Sequence, residues 1–158
     1  MIRKLKGVFV IVVIGLIIAG CGQQMPVDNL ILGQLRRVVS GQTLEVVINN
    51  QVYGVRLTGL DVPEDGREMA EKTMVQLLTN YGRNPINSPS IALETDLNSK
   101  DSFGRLSAYV WLNDLFINRM MIEEGRAIVN LTYTDGKYDD ILINAQQYAR
   151  IMGKGLWE

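Results

Sequence analysis

Histidine is absent from this chain, and cysteine occurs only once. The first absence removes every serine–histidine or cysteine–histidine nucleophile pair, every histidine general base and every imidazole metal ligand. The single cysteine, Cys21, rules out an internal disulfide and a cysteine-built zinc site. Acid–base work therefore falls to carboxylates, lysine, tyrosine or water, and any metal would be held by oxygen atoms, as hard divalent cations prefer. An excess of basic charge is missing too, since 16 Lys and Arg stand against 17 Asp and Glu. Three of the basic residues, Arg3, Lys4 and Lys6, fall within the first twenty positions, and the remainder carries a net charge of −4. Unspecific nucleic-acid binders carry a broad basic footprint; this chain has room only for a local cationic cluster.

Long apolar runs are confined to one place. GVFVIVVIGLIIAG, residues 7–20, follows the basic start and ends in Ile18-Ala19-Gly20-Cys21. That order matches an export signal, and its ending resembles a bacterial lipobox. The resemblance implies cleavage before Cys21 and lipid attached to that residue. A plain anchor helix is the alternative, although the run is short for a full membrane span. Either way, the expectation is an exported domain tethered to a bacterial membrane, on its periplasmic or outer face. Gly22 after the modified cysteine favours the outer membrane in a two-membrane cell. The expected organisation is a signal over 1–20, a tether over 21–33 and one domain over 34–158.

Within the domain, Gln34–Val39 and Thr43–Ile48 read as strands flanking an SGQ turn, and Asn49-Asn50 turns the chain into a third, Val52–Leu60. Short turns between consecutive strands predict an antiparallel meander. After Pro63, Asp65 and Glu68 fit a capping box, and Ala70, Met74, Leu77 and Leu78 fall on one helical face. Residues 81–90 read as a loop. Ile91–Glu94 and Leu106–Leu112 are further strands, separated by the polar loop TDLNSKDSFG. A second helix is expected over Asp114–Glu124 with Gly125 as its stop, and a third from Lys137 to Gly153, burying Leu142, Ala145, Ala149 and Met152. The fold class predicted is α+β, mainly β: a five-stranded OB-type barrel with about three helices.

Singly, the polar residues of these segments have ordinary explanations. Arg56 suits an outward strand position, Asp61 and Glu64 suit the approach to a helix, and Arg105 could pair with Asp101. Together and in order, VVSGQTLEV, VRLTGLDVPE, ETD, DSFGRLSAYVWL, INRMMIEEGRAIV and GLW resemble the staphylococcal nuclease (thermonuclease) family, from about Leu35 to Trp157. The resemblance implies calcium-assisted hydrolysis of phosphodiester bonds in DNA or RNA. It matches Arg56 and Arg105 to the family's catalytic arginines and Glu64 to its general base. Asp61 matches a calcium ligand, and Val62 a position whose backbone carbonyl helps bind the ion. Chemically, two guanidinium groups can meet the charge that builds on a phosphoryl group under attack by water.

Two departures stand out. The family's Asp-Gly-Asp-Thr is Ser40-Gly41-Gln42-Thr43 here, so Gln42 takes the place of a calcium-ligand aspartate. A glutamine can offer a carbonyl oxygen but no charge, which implies a weak or altered metal site. The family's Tyr-x-Tyr is Leu131-Thr132-Tyr133, leaving Tyr133 as the matched ring, and Phe103 replaces a tyrosine beside the nucleotide. The expected function is metal-dependent nuclease activity, weakened or changed in metal preference, by a monomeric tethered domain. The alternative is an inactive module on the same fold that binds nucleic acid or protein.

Overall fold

The computed structural model describes residues 30–82 and 89–158. The signal, Cys21, most of the expected tether and the middle of the loop at 81–90 lie outside the described residues.

Strand β1 (Leu30–Ser40) starts four residues earlier than its sequence pattern predicts. Leu30 to Gln34 pair antiparallel with Glu94 to Ser90 of strand β5 (Ser90–Lys100), so backbone groups expected in a loop find ladder partners. Strand β2 (Thr43–Ile48) folds back on β1 and buries Leu44 and Val46 on alternate positions. Asn49 and Asn50, with φ of 49° and 63°, turn the chain into β3 (Gln51–Leu57), the left-handed pair a two-residue hairpin loop requires. The expected Val52–Leu60 strand is broken at Gly59, whose φ of +81° disfavours a side chain, and Leu60–Asp61 forms a separate short strand, β4.

The end of β3 runs parallel to β6 (Leu106–Leu112), with Val55 opposite Leu106 and Leu57 opposite Ala108. That pairing closes the order β3-β2-β1-β5-β6 into a five-stranded barrel. The expected OB-type fold, mainly β with three α-helices, is the one formed. Strand β5 continues through most of the predicted polar loop to Lys100, with an irregular register between Thr95 and Lys100.

Helix α1 (Arg67–Tyr81) buries Ala70, Met74, Leu77 and Leu78, as its spacing predicts. The predicted capping box does not form. Glu64–Gly66 make a 3₁₀ turn, Gly66 takes the N-cap position without a side-chain bond, and Glu68 pairs with Lys72 at 2.7 Å. The second helix is shorter than expected, because Asn113 (φ 54°) turns the chain into strand β7 (Leu115–Phe116). Helix α2 (Ile117–Glu123) follows, and the chain leaves it through Gly125 at φ +63°. Strand β8 (Ile128–Val129) pairs with β4. Helix α3 (Asp139–Ile151) buries Leu142, Ala145 and Ala149, whereas Met152 lies past the helix end and is 56% exposed.

An aromatic cluster joins β6, β7 and the residue that leads into α3. Trp111 stacks on Phe116 at 4.4 Å, and Tyr109 meets Tyr138 edge to face at 4.6 Å. Each large apolar side chain removed from water here adds about 1.5–3 kcal/mol before chain entropy is counted. One polar residue crosses this core. Asn118 of α2 is fully buried, donates to the Thr58 carbonyl at 2.8 Å and accepts the Val110 N–H at 2.8 Å. It ties helix, strand β6 and the β3–β4 corner together, and so fixes the corner on which the site is built.

Candidate active site

The site residues come from four places. Arg56 stands near the end of β3, Asp61 on β4, Asp101 to Arg105 on the turn entering β6, and Asn130 to Tyr133 just after β8. The closure of β3 against β6 brings the two arginines to one wall. A cavity of about 640 Å³ opens there, lined among others by Arg56, Asp61, Phe103, Arg105, Asn130 and Tyr133. Lys100 and Asp101 also line it. Three cations thus face two carboxylates, a local positive balance inside an acidic chain.

Arg105 is held rigidly. Asp101 accepts its Nε–H at 2.7 Å and its backbone N–H at 3.0 Å, and accepts the Phe103 N–H at 2.9 Å. Burial opposes the Asp101 charge, yet the Arg105 side chain and the two backbone N–H groups outweigh it and hold the carboxyl below its usual range. The terminal nitrogens of Arg105 carry no hydrogen bond among the described residues, and its guanidinium lies 5.1 Å from the Phe103 ring centre. Phe103 and Tyr133 are 81% and 75% exposed, unusual for rings of that size and suited to stacking on a base.

Asp61 is bonded on both oxygens. Arg56 donates to Oδ1 and the Asn130 amide to Oδ2. Gln42, at the β1–β2 turn, accepts the Val62 N–H on its side-chain oxygen at 2.8 Å. Gly41 makes the turn possible, since a Cβ there would stand 2.4 Å from the Cβ of Ala70 in α1. Glu64 sits on the 3₁₀ turn beyond β4 with its side chain 78% exposed, paired with Arg67 at 3.1 Å, and is not among the cavity-lining residues.

Gln42, Asp61 and Val62, the three positions expected to hold a metal, are therefore neighbours. Their donor set does not fit a resident calcium ion as folded. Calcium takes six to eight oxygens, and mostly anionic ones when it is bound tightly. Here Asp61 is taken up by an arginine and an amide N–H, Gln42 by a backbone N–H. No group of three or more acidic side chains capable of holding a metal exists among the described residues.

Asn130 is the participant that sequence reading misses. Its backbone N–H bonds the Gly59 carbonyl at 3.1 Å, and its side-chain oxygen accepts both the N–H and the hydroxyl of Thr132, at 3.1 and 2.7 Å. The Asn-Leu-Thr spacing of an Asx turn was the available signal.

A closed OB-type barrel that brings one arginine from β3 and one from the turn entering β6 into an aromatic-edged, cationic cavity defines a class of protein suited to binding phosphodiesters. Residues 54–158 match the family model described as staphylococcal nuclease homologue. The chain is 31% identical over 128 residues to a thermonuclease of Staphylococcus intermedius, covering 78% of this chain and 74% of that protein. It is 29% identical over 125 residues to the thermonuclease of Staphylococcus hyicus, covering 77% and 72% respectively. It is also 29% identical over 126 residues to the SPbeta prophage-derived endonuclease YokF of Bacillus subtilis (strain 168), covering 78% of this chain and 43% of the relative. The chain belongs to the staphylococcal nuclease homologue family.

Proposed function

We propose that this protein hydrolyses phosphodiester bonds in nucleic acid, slowly or with changed metal preference, from a position tethered to a bacterial membrane. The observation that carries the reading is the convergence of Arg56 and Arg105 on one cavity edged by the exposed rings of Phe103 and Tyr133. Arg105, pre-aimed by Asp101, presents its terminal nitrogens to a phosphoryl oxygen without reorganising. Arg56 offers a second cation on the same wall, with Asp61 fixing its direction. Two such groups stabilise charge on the phosphoryl oxygens more in the transition state than in the ground state. Flanking bases stack on Phe103 and Tyr133. Glu64 stands outside the cavity and takes a proton from attacking water only after leaving Arg67, an exposed pairing that is cheap to break at about 0–1 kcal/mol.

Nuclease names among the relatives support the reaction class. The uncharged Gln42 is the reason to expect weakened or altered use of a divalent ion. The test is hydrolysis of single-stranded DNA and RNA by the purified chain with calcium, magnesium or manganese, alongside Gln42→Asp. Slow turnover that rises in the variant is the expected result. No turnover with any ion, and no gain in Gln42→Asp, ends the proposal.

A second reading is favoured by one observation, the bonding of both Asp61 oxygens. On that reading the chain binds nucleic acid or protein without cleaving. Ordinary turnover by the wild-type chain would exclude it.

Tethering rests on the sequence order of basic start, apolar run and Ile18-Ala19-Gly20-Cys21. No helix among the described residues is long and apolar enough to cross a membrane. Labelling with a radioactive fatty acid in bacteria should mark the wild-type chain and not Cys21→Ser. A variant that labels equally would remove the lipid anchor from the proposal.

A further inference from the structure

We propose that Asn130 is a positioning residue which, by holding Asp61 against Arg56, organises this cavity to bind a nucleic-acid strand without a divalent ion. The inference rests on the reading of the cavity as a phosphodiester site and concerns what assembles it.

The orientation of Asn130 follows from its neighbours. Its side-chain oxygen accepts two hydrogen bonds from Thr132. An amide with its carbonyl so engaged must turn its NH₂ the other way, and the group it meets is Asp61 Oδ2. Arg56 meets Oδ1 of the same carboxylate. Asp61 is thereby a bridge: an amide on one side fixes its plane, and the guanidinium on the other is aimed by it. Gln42 completes the arrangement by tying the first hairpin to Val62, the residue after Asp61. A divalent ion in such a corner would neutralise repelling carboxylates and draw the β1–β2 turn toward β4. Here one carboxylate faces an arginine, and a neutral side chain draws the turn in. The work of assembly is done by Arg56, Asn130 and Gln42, and Arg105 is fixed separately by Asp101.

The consequence concerns binding, which the catalytic assay does not read. A fluorescein-labelled single-stranded oligonucleotide is titrated with the full chain in detergent, followed by anisotropy, in EDTA and in millimolar calcium at constant ionic strength. Wild-type Kd should agree within about threefold between the two conditions, since the strand is held by the fixed arginines. Asn130→Ala should weaken binding in EDTA by roughly threefold to tenfold, a loss of the size that one ordinary hydrogen bond contributes net, because Asn130 acts on the strand only through Asp61 and Arg56. Calcium should restore part of that loss, because the released Asp61 oxygen becomes available to the ion. A residue that only stabilised the fold would not give a loss that calcium reverses. Thr132→Val, which leaves Asn130 in place but removes the hydroxyl that orients it, should give a smaller loss of the same kind, and it carries the test if Asn130→Ala does not fold.

Wild-type binding that weakens tenfold or more in EDTA overturns the inference, as does an Asn130→Ala variant that folds and binds like wild type in EDTA. Binding without turnover in any metal would refute only the proposed hydrolysis. Failure to bind under either condition would sink both.

Discussion

Gln42 and an aspartate differ by one charge and one methylene, and at this turn both differences have consequences. A second carboxylate beside Asp61 would attract a divalent ion with about 8 kcal/mol gross at 4 Å and an effective dielectric near 20. Desolvation offsets much of this, and each ~1.4 kcal/mol that survives is worth tenfold in affinity. Gln42→Asp should therefore show a calcium-dependent rise in melting temperature that wild type lacks. The same variant should be less stable in EDTA, because two carboxylates would then share the corner with only Arg56 as counter-charge. Asp101 makes the opposite case, a charge the fold fully uses. Its carboxyl is held below the usual value, so its contribution is present above about pH 3.8 and lost as pH falls through the lower folded value. Asp101→Asn should cost about 1–2 kcal/mol at pH 7 and flatten the acid limb of the stability curve. It should also weaken oligonucleotide binding, since Arg105 loses its brace; urea titrations across pH and an anisotropy titration check these outcomes.

At the scale of elements, the barrel corner depends on two contacts that cross between them. Asn118 carries α2 onto β6 and onto the β3–β4 turn. Asn118→Leu keeps the branched shape but strands the Val110 N–H and the Thr58 carbonyl in the core, at about 1–3 kcal/mol each. The expected result in urea unfolding is a loss of roughly 3 kcal/mol, with cleavage and binding reduced in proportion to the unfolded fraction. The other contact is the approach of the first hairpin to α1 at Gly41. A methyl group there must displace the Ala70 backbone, whose carbonyl carbon would lie 2.8 Å away. Gly41→Ala should cost about 1–3 kcal/mol by overpacking, and Gly41→Ala combined with Ala70→Gly should recover part of it. The helix faces were legible in their apolar spacing. Their ends were not: the capping box over Asp65 and Glu68 yielded to a 3₁₀ turn, and Asn113 made a hairpin where the pattern suggested a helix start.

Across the whole molecule, the C-terminal third is locked to the barrel by a buried polar group. Glu94 of β5 is 5% exposed, accepts the Tyr138 hydroxyl at 2.6 Å and pairs with Lys137. Burial raises the Tyr138 hydroxyl well above the ordinary tyrosine value, and Glu94 and Asp135 add to this. A raised folded value means the contribution is full below the unfolded value near pH 10 and is lost as pH rises above it. Thermal unfolding should therefore hold steady in this respect up to about pH 10 and decline beyond it. Tyr138→Phe should be less stable at pH 7 and show a shallower alkaline decline. Glu94 itself was legible only as part of the ETD segment, because nothing in the local pattern of β5 shows that residues 43 and 44 positions onward would cover it.

The sequence by itself determined the parts that repeat locally. Alternating apolar residues specify the barrel strands, helical spacing specifies the buried faces, and the order of the segments specifies the family. It also determined what chemistry is excluded, since the lack of histidine leaves arginine, carboxylate and amide side chains to build the site. Only the tertiary structure decided how those side chains are spent. Asp61 could have faced an ion or an arginine, and the β3–β6 closure together with the Thr132-oriented Asn130 turned it to the arginine. Such choices depend on contacts such as Asn130 to Asp61, 69 positions apart, which no local periodicity records because they arise only when the barrel closes.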